Sequence, residues 1–166
     1  MYCDGSSEFV CPVCRKGILR YRDRVKRICR LEGGETQWYE IPRYRCDNEG
    51  CGKLQRMLPD FLAPFKHYRA DIIAGVLDGI ITPSDEDSFD QPSENTMKAW
   101  KHWLMANLLN IEGILHSEAC RSLGFSERFL KSQTPLLPQL RHLYQDWLEK
   151  LIRFIYNSGN RLVPDY

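Results

Sequence analysis

Cys11-Pro-Val-Cys14 and Cys46-Asp-Asn-Glu-Gly-Cys51-Gly52 decide how this chain is read. Each pair offers two thiolates from a short knuckle. The 31 residues between the pairs suffice for a β-hairpin that brings the knuckles together around one tetrahedral ion. Four soft thiolates suit Zn²⁺, and a four-ligand site leaves no coordination position for water or substrate. The expected cofactor is therefore one structural Zn²⁺ on Cys11, Cys14, Cys46 and Cys51. A disulfide framework fits poorly, because the seven cysteines are an odd count and 166 residues is long for a stapled miniprotein. A redox CxxC would leave the second pair unexplained. Cys3, Cys29 and Cys120 stand at no ligand spacing and are read as ordinary side chains, with Cys3 or Cys29 the substitutes if one of the four is not a ligand.

Working outward, Ile18 to Leu31 alternates loosely between apolar and basic residues. It turns at Glu32-Gly33-Gly34-Glu35 and returns through Gln37-Trp38-Tyr39-Glu40-Ile41 to Cys46. Gly-Gly between two such runs signals a hairpin, since glycine supplies a positive φ without steric cost. A short third strand is expected at Lys53–Leu58. Leu58-Pro59-Asp60-Phe61-Leu62-Ala63-Pro64-Phe65 then reads as a Pro-rich linker apolar enough to pack.

Helical periodicity follows. Ile72, Ile73, Val76 and Leu77 share one face of a helix over 68–79, which Gly79 ends. Ser93, after Pro92, caps a second helix over 93–110 whose stripe is Met97, Trp100, Leu104, Leu108 and Ile111. Trp103 falls off that stripe. Ile114, Leu115, Ala119 and Leu123 suggest a further helix. Leu140, Leu143, Tyr144, Trp147, Leu151 and Ile155 form the inward face of a long C-terminal helix over 138–158, ended by Gly159.

The fold class is thus α+β, an N-terminal zinc ribbon followed by an all-α domain. Residues 1–8 are expected to be a flexible leader, 9–58 the ribbon, 59–65 the linker and 66–166 the helical domain. Within the last, 68–110 has the layout of a helix-turn-helix.

The net charge of +1 conceals an asymmetry. Residues 1–69 carry 14 Lys/Arg against 9 Asp/Glu, and residues 70–166 carry 9 against 13. Between 15 and 30, Arg15, Lys16, Arg20, Arg22, Arg24, Lys26, Arg27 and Arg30 meet only Asp23, which points to a polyanionic partner rather than a merely solvated face. Arg43 and Arg45 extend the basic surface on the returning strand. Trp38, Tyr39 and Tyr44 could stack on unpaired bases, although aromatics in a ribbon more often cover its thin core.

Catalytic signals are lacking. Asp85, Glu86, Asp87 and Asp90 are the one dense carboxylate group, in a proline-flanked loop with no strand to fix them around a metal. No phosphate-binding loop, Gly-x-Ser-x-Gly or His-Glu-x-x-His occurs, His67, His102, His116 and His142 are scattered, and Cys120 has no evident base. The chain is therefore read as a non-enzyme. If the helix at 93–110 enters a major groove, Asn95 could bond adenine edges, Lys98 could reach guanine, and Lys101 or His102 could take a phosphate. An ordinary helical bundle with a polar face is the rival, and the acidic 85–90 loop speaks for it.

The chain resembles a bacterial family of short zinc-ribbon proteins of unassigned function. Its members look like the N-terminal zinc-ribbon and helix-turn-helix region of insertion-sequence transposases, detached from any catalytic domain. The resemblance rests on Cys11-Pro-Val-Cys14, Ile18 to Arg24, Ile41-Pro-Arg-Tyr-Arg-Cys46, Cys51 to Tyr68, Ser93 to Trp103 and Asn157-Ser-Gly159. It implies zinc on the four cysteines and a role near mobile DNA.

The expectation is a non-catalytic, zinc-dependent protein that binds double-stranded DNA, either transposon-associated or a regulator. The alternatives are a protein-interaction adaptor, with a partner or second copy on the helical domain, and RNA binding through the Arg-rich hairpin. With no basic-then-apolar run after Met1 and no stretch of ~20 apolar residues, a cytoplasmic protein without membrane contact is expected.

Overall fold

The computed structural model describes residues 1–2, 9–85, 91–122 and 134–163, with backbone alone for 32 and 118–122. Asp85 is described, whereas Glu86, Asp87 and Asp90 lie outside these residues, as do Cys3, Leu123 and the side chains of Ala119 and Cys120. Three strands and four helices make a mixed α+β architecture: β1 (Leu19–Arg30), β2 (Thr36–Cys46), β3 (Leu54–Arg56), α1 (Ala70–Asp78), α2 (Glu94–Ser122), α3 (Leu136–Leu143) and α4 (Trp147–Asn157).

The sheet is antiparallel in the order β1-β2-β3. Its turn takes one 3₁₀ step at Glu32–Gly34, with Gly33 at φ 79° and Gly34 at φ 75°, which is why two glycines stand there. The pairing runs from Leu19↔Cys46 to Arg30↔Thr36, with one bulge between Tyr21 and Asp23. Arg22 is the extra residue, so Tyr21 and Asp23 pair with the consecutive Tyr44 and Arg43.

The inner face of the hairpin carries Val25, Cys29, Tyr39 and Ile41, which join the same apolar core as α1, α2, α3 and α4. Burial pushes the Cys29 thiol up, and this residue lies in that core. The segment 59–65 packs too, burying Leu62 and Ala63. Arg27 reaches from β1 to donate to the carbonyls of Ala63 and Lys66, the latter at 2.6 Å. At the far end of the hairpin, the Arg30 N–H donates to His67 O and the Arg69 N–H to Arg30 O.

Two sequence expectations need correction. Met1 and Tyr2, assigned to a flexible leader over 1–8, are built into the molecule. Tyr2 is fully buried, its hydroxyl donates to Leu62 O at 2.8 Å, and Met1 O accepts from the Leu58 N–H. The single helix expected over 138–158 is two, because Tyr144 is extended (φ −133°, ψ 126°). The break lets each part set its own apolar face: α3 buries Leu136, Leu137 and Leu140, while α4 buries six of its eleven residues. Leu143, expected inward, is consequently exposed. Trp147 turns into the core with its indole N–H on Asp78 at 2.9 Å.

The helices expected over 93–110 and around Ile114–Leu115 are one continuous α2. Ser93 does cap it, with the Thr96 N–H donating to its hydroxyl at 3.3 Å. Met97, Trp100, Leu104 and Ile111 are buried as expected, and so is Trp103. Asn107, which is buried, pairs with both backbone groups of Val163, and Asn110 donates to Arg161 O, fastening the tail along α2. No helix among the described residues is long and apolar enough to cross a membrane.

Glu112 of α2 serves another helix. Its two carboxylate oxygens accept from the Leu136 and Leu137 N–H groups at 2.8 and 2.9 Å. Those are unsatisfied donors of the first turn of α3, and the next residue, Pro138, has no N–H to satisfy. A carboxylate there also complements the helix dipole. Glu112→Ala is expected to cost about 1–3 kcal/mol in urea unfolding, with Glu112→Gln between it and the native chain. An unchanged unfolding midpoint for Glu112→Ala would show that water replaces the carboxylate at no cost.

Candidate metal centre

The four sulfurs of Cys11, Cys14, Cys46 and Cys51 lie within 4.8 Å of one another. The Cys11–Cys51 and Cys14–Cys46 sulfur pairs are 3.8 and 3.7 Å apart. A tetrahedron with Zn–S arms of ~2.3 Å has edges of ~3.8 Å, so the thiols already have the shape of a four-sulfur metal site. The residues fit one ion, and as a closed set they offer it structural ligation with no open position.

Local hydrogen bonds build each half. In the first knuckle the Cys11 N–H donates to Gly17 O and the Arg15 N–H to Cys11 O, both at 2.8 Å, and Arg15 takes φ 55° to close the turn. The Gly17 N–H donates to Cys14 Sγ at 3.4 Å. A Cβ on Gly17 would stand 2.5 Å from Cys46 Sγ and 2.7 Å from Asn48 Cβ, so no larger residue fits between the halves without a shift. In the second knuckle the Cys51 and Gly52 N–H groups donate to Asn48 O, and Asn48 Oδ1 accepts from Gly50. Asp47 ties the two together, accepting from the Ile18 N–H at 2.7 Å and from Arg20 at 3.3 Å. The four-residue spacer of the second pair is thus filled by an Asn-centred turn.

Electrostatics divide the thiols. Donation from the Gly17 and then the Lys16 N–H lowers Cys14 to about 6. Burial pushes Cys46 up to about 12. The Lys53 N–H lowers Cys51, but burial and the neighbouring Cys14 and Cys11 thiols outweigh it and the group is raised.

The centre is packed on the end of α4. Asn157 Oδ1 accepts from the Tyr2 N–H at 2.8 Å and its amide donates to Tyr2 O. Arg15 donates to Ser158 O at 3.2 Å. Gly159, at φ 86°, lies so close to the first knuckle that a Cβ would stand 2.2 Å from Pro12 O. Asn157-Ser158-Gly159 therefore clamps the N-terminal segment and the knuckle together, a role that Gly159 as a helix stop did not disclose. Gly17 and Asn48 were also passed over, and their adjacency to the cysteines was the available signal.

The basic residues are dispersed around this frame. Arg20, Arg22, Arg24, Lys26 and Arg45 are exposed on the hairpin. Arg43 is bound by Asp23, and Arg27 is engaged internally as described. Asn95, Lys98, Lys101 and His102 are exposed on the first turns of α2, where Lys98 pairs with Glu94 at 2.6 Å.

A hairpin packed on helices, with four cysteines at its base that could hold one metal ion, makes this a small α+β protein with a candidate metal centre. Residues 11–100, from the first ligand to the second turn of α2, match the family model of a domain of unknown function, DUF6431, and the chain belongs to that family. No curated protein and no solved structure matches the chain.

Two expectations follow for the centre. Cys46 and Cys51 hold protons in the metal-free protein at neutral pH, so metal binding must release at least these two. Apparent affinity, measured against a competing chelator, should rise by about 100-fold or more per pH unit between pH 6 and 8. A flat profile would exclude the thiols as ligands. Gly159→Ala should destabilise the metal-loaded protein by about 1–2 kcal/mol from its left-handed backbone alone, and its clash with Pro12 should weaken metal binding. Retained metal affinity would show that the knuckle does not depend on this contact.

Proposed function

We propose that this chain is a non-catalytic zinc-ribbon protein that binds double-stranded DNA, acting in the cytoplasm as a transposon-associated protein or a regulator. The observation that carries this reading is the exposed run Arg20, Arg22, Arg24 and Lys26 on β1, with Arg45 opposite Arg20 on β2. These side chains sit on a hairpin whose open end is closed by the cysteine cluster. Zn²⁺ is the ion that four thiolates at these separations suit best, and its role is to hold the hairpin rather than to react.

Base reading falls to α2. Its start exposes Asn95, Lys98, Lys101 and His102 while Met97 and Trp100 anchor it on the core. The packing of α1 against α2 supports reading the pair as helix-turn-helix-like, with the second helix presenting its N-terminal side chains to base edges. The hairpin would position the protein on phosphates and α2 would specify the sequence. A protein partner or second copy is the rival reading, favoured by Met105 and Leu109, which stand exposed one turn apart on α2.

Titration of the zinc-loaded protein with labelled random duplex, at several salt concentrations, tests this. Affinity should fall steeply with salt, and the paired change Arg22→Glu with Arg24→Glu should weaken binding by about tenfold or more while flattening the salt slope. Lys98→Ala should leave overall affinity and reduce discrimination among sequences. No binding at low salt by a folded, zinc-containing sample would refute the duplex reading.

A further inference from the structure

The outer face of the hairpin is exposed at Tyr21, Arg24, Lys26, Trp38 and Glu40, whereas its inner face packs on the core through Val25, Cys29, Tyr39 and Ile41. At the cysteine end Phe9 packs edge-on against Tyr44, with ring centroids 5.6 Å apart. Register places Ile28 opposite Trp38, Lys26 opposite Glu40, Arg24 opposite Pro42 and Tyr21 opposite Tyr44. Strand alternation puts all of these on one side, away from Val25 and Ile41. Tyr21 and Arg24 are three residues apart and would face opposite sides of a regular strand. The bulge at Arg22 brings both to the outer side, where Arg24 lies against the Tyr21 hydroxyl and pairs with Glu40 at 3.2 Å. The result is a strip with aromatic rings at both ends and cations between them. Trp38 is 66% exposed and Tyr21 57%. Along β2, Trp38 and Tyr44 are six residues apart, or about 20 Å.

We propose that this strip binds a short stretch of single-stranded DNA, with Trp38 and Tyr21 stacking on unpaired bases and Arg24 and Lys26 contacting the phosphates between. The inference rests on the nucleic-acid reading above and specifies which face is used and in what form the strand is held. An exposed tryptophan is costly to leave in water, and this one has no aromatic neighbour on the strip to cover it. Its partner must offer flat apolar faces. The same strip carries Arg24 and Lys26 against the single carboxylate of Glu40, and Arg22 stands exposed at the bulge beside it, so an anionic partner fits. Unpaired nucleotides combine both properties, because every base has a stacking face and every linkage a negative charge. Duplex DNA has its faces already stacked and would leave Trp38 unused.

Trp100, Trp103 and Trp147 are buried, so Trp38 is the exposed one of the four tryptophans and reports on this face by its fluorescence. The full zinc-loaded chain is titrated with a 15-nucleotide oligodeoxythymidylate, with the matching oligouridylate, and with a duplex of equal length. The single DNA strand should quench the tryptophan emission. Trp38→Ala should weaken that binding by about 10- to 100-fold, Trp38→Phe should retain most of it, and Tyr21→Ala should weaken it independently. Thermal melting should show Trp38→Ala folded, since the side chain lies largely in solvent. Single-strand binding that survives Trp38→Ala would overturn the stacking strip, and tighter binding of the RNA would overturn DNA as its occupant. Duplex binding without single-strand binding would overturn this inference and leave the duplex reading standing, whereas binding of neither would remove both.

Discussion

Four thiols brought within 4.8 Å of one another are the constraint on which the rest of the structure depends. Such a group is poor at holding itself together. Sulfur–sulfur hydrogen bonds are weak, and as thiolates the four repel. A cation reverses the sign of that interaction, and its binding free energy then becomes folding free energy for everything the cysteines hold. What they hold is considerable. Cys46 ends β2, Cys11 and Cys14 precede β1, and Cys51 leads into β3, so one ion held by the four would set the start of every strand pairing. Gly17, pressed on Cys46 Sγ, shows how little slack the arrangement leaves.

A ribbon of this kind commonly has too thin a core to stand alone, and here its inner face is completed by helices. The attachment is made at three levels. Arg30 pairs with the 67–69 backbone near the turn, Cys29, Tyr39 and Ile41 enter the common core midway, and the first knuckle rests on Gly159 at the base. The last contact has the widest reach, because the residues that hold it lie about 145 positions from the knuckle in sequence yet touch both it and Tyr2. A change at the four thiols would therefore be felt at the end of α4, and loosening of α4 would be felt at the thiols.

Much of this was legible from residue order, because spacing and periodicity report local structure well. The two cysteine pairs, the Gly33-Gly34 turn, Gly79 closing α1 with φ 76° and Ser93 capping α2 all express short-range geometry. The misses have a common cause. The apolar sequence Leu140, Leu143, Trp147, Leu151, Ile155 keeps helical phase across residues 144–146, so periodicity could not reveal a break that tertiary contacts impose, chiefly Asp78 with Arg141 and Trp147. Nothing in the sequence around Glu112 marks it, since only the fold brings it to the N-terminus of α3. Tyr2 looked like leader because its partners, Leu62 and Asn157, are 60 and 155 residues away. Among the basic residues, sequence could not separate Arg27, which turns inward to two carbonyls, from Arg24 and Lys26, which face water.

That last distinction bears on function more than the charge total does. In a regular strand, cations at every second residue, as at Arg20, Arg22, Arg24 and Lys26, would all face one side. On β1 the bulge at Arg22 breaks this rule, placing Tyr21 on the outer side and pairing Asp23 with Arg43 on the other. On the side that meets the helices, Asp23 neutralises Arg43, Asp47 pairs with Arg20, and Arg27 is satisfied by carbonyls. The outer side keeps its cations and its aromatic rings together. A sheet that merely needed solubility would carry charge there without Trp38, and one that merely needed a hydrophobic partner would carry Trp38 without Arg24 and Lys26. The bulge is the local device that brings Tyr21 to the side of Arg24, Lys26 and Trp38.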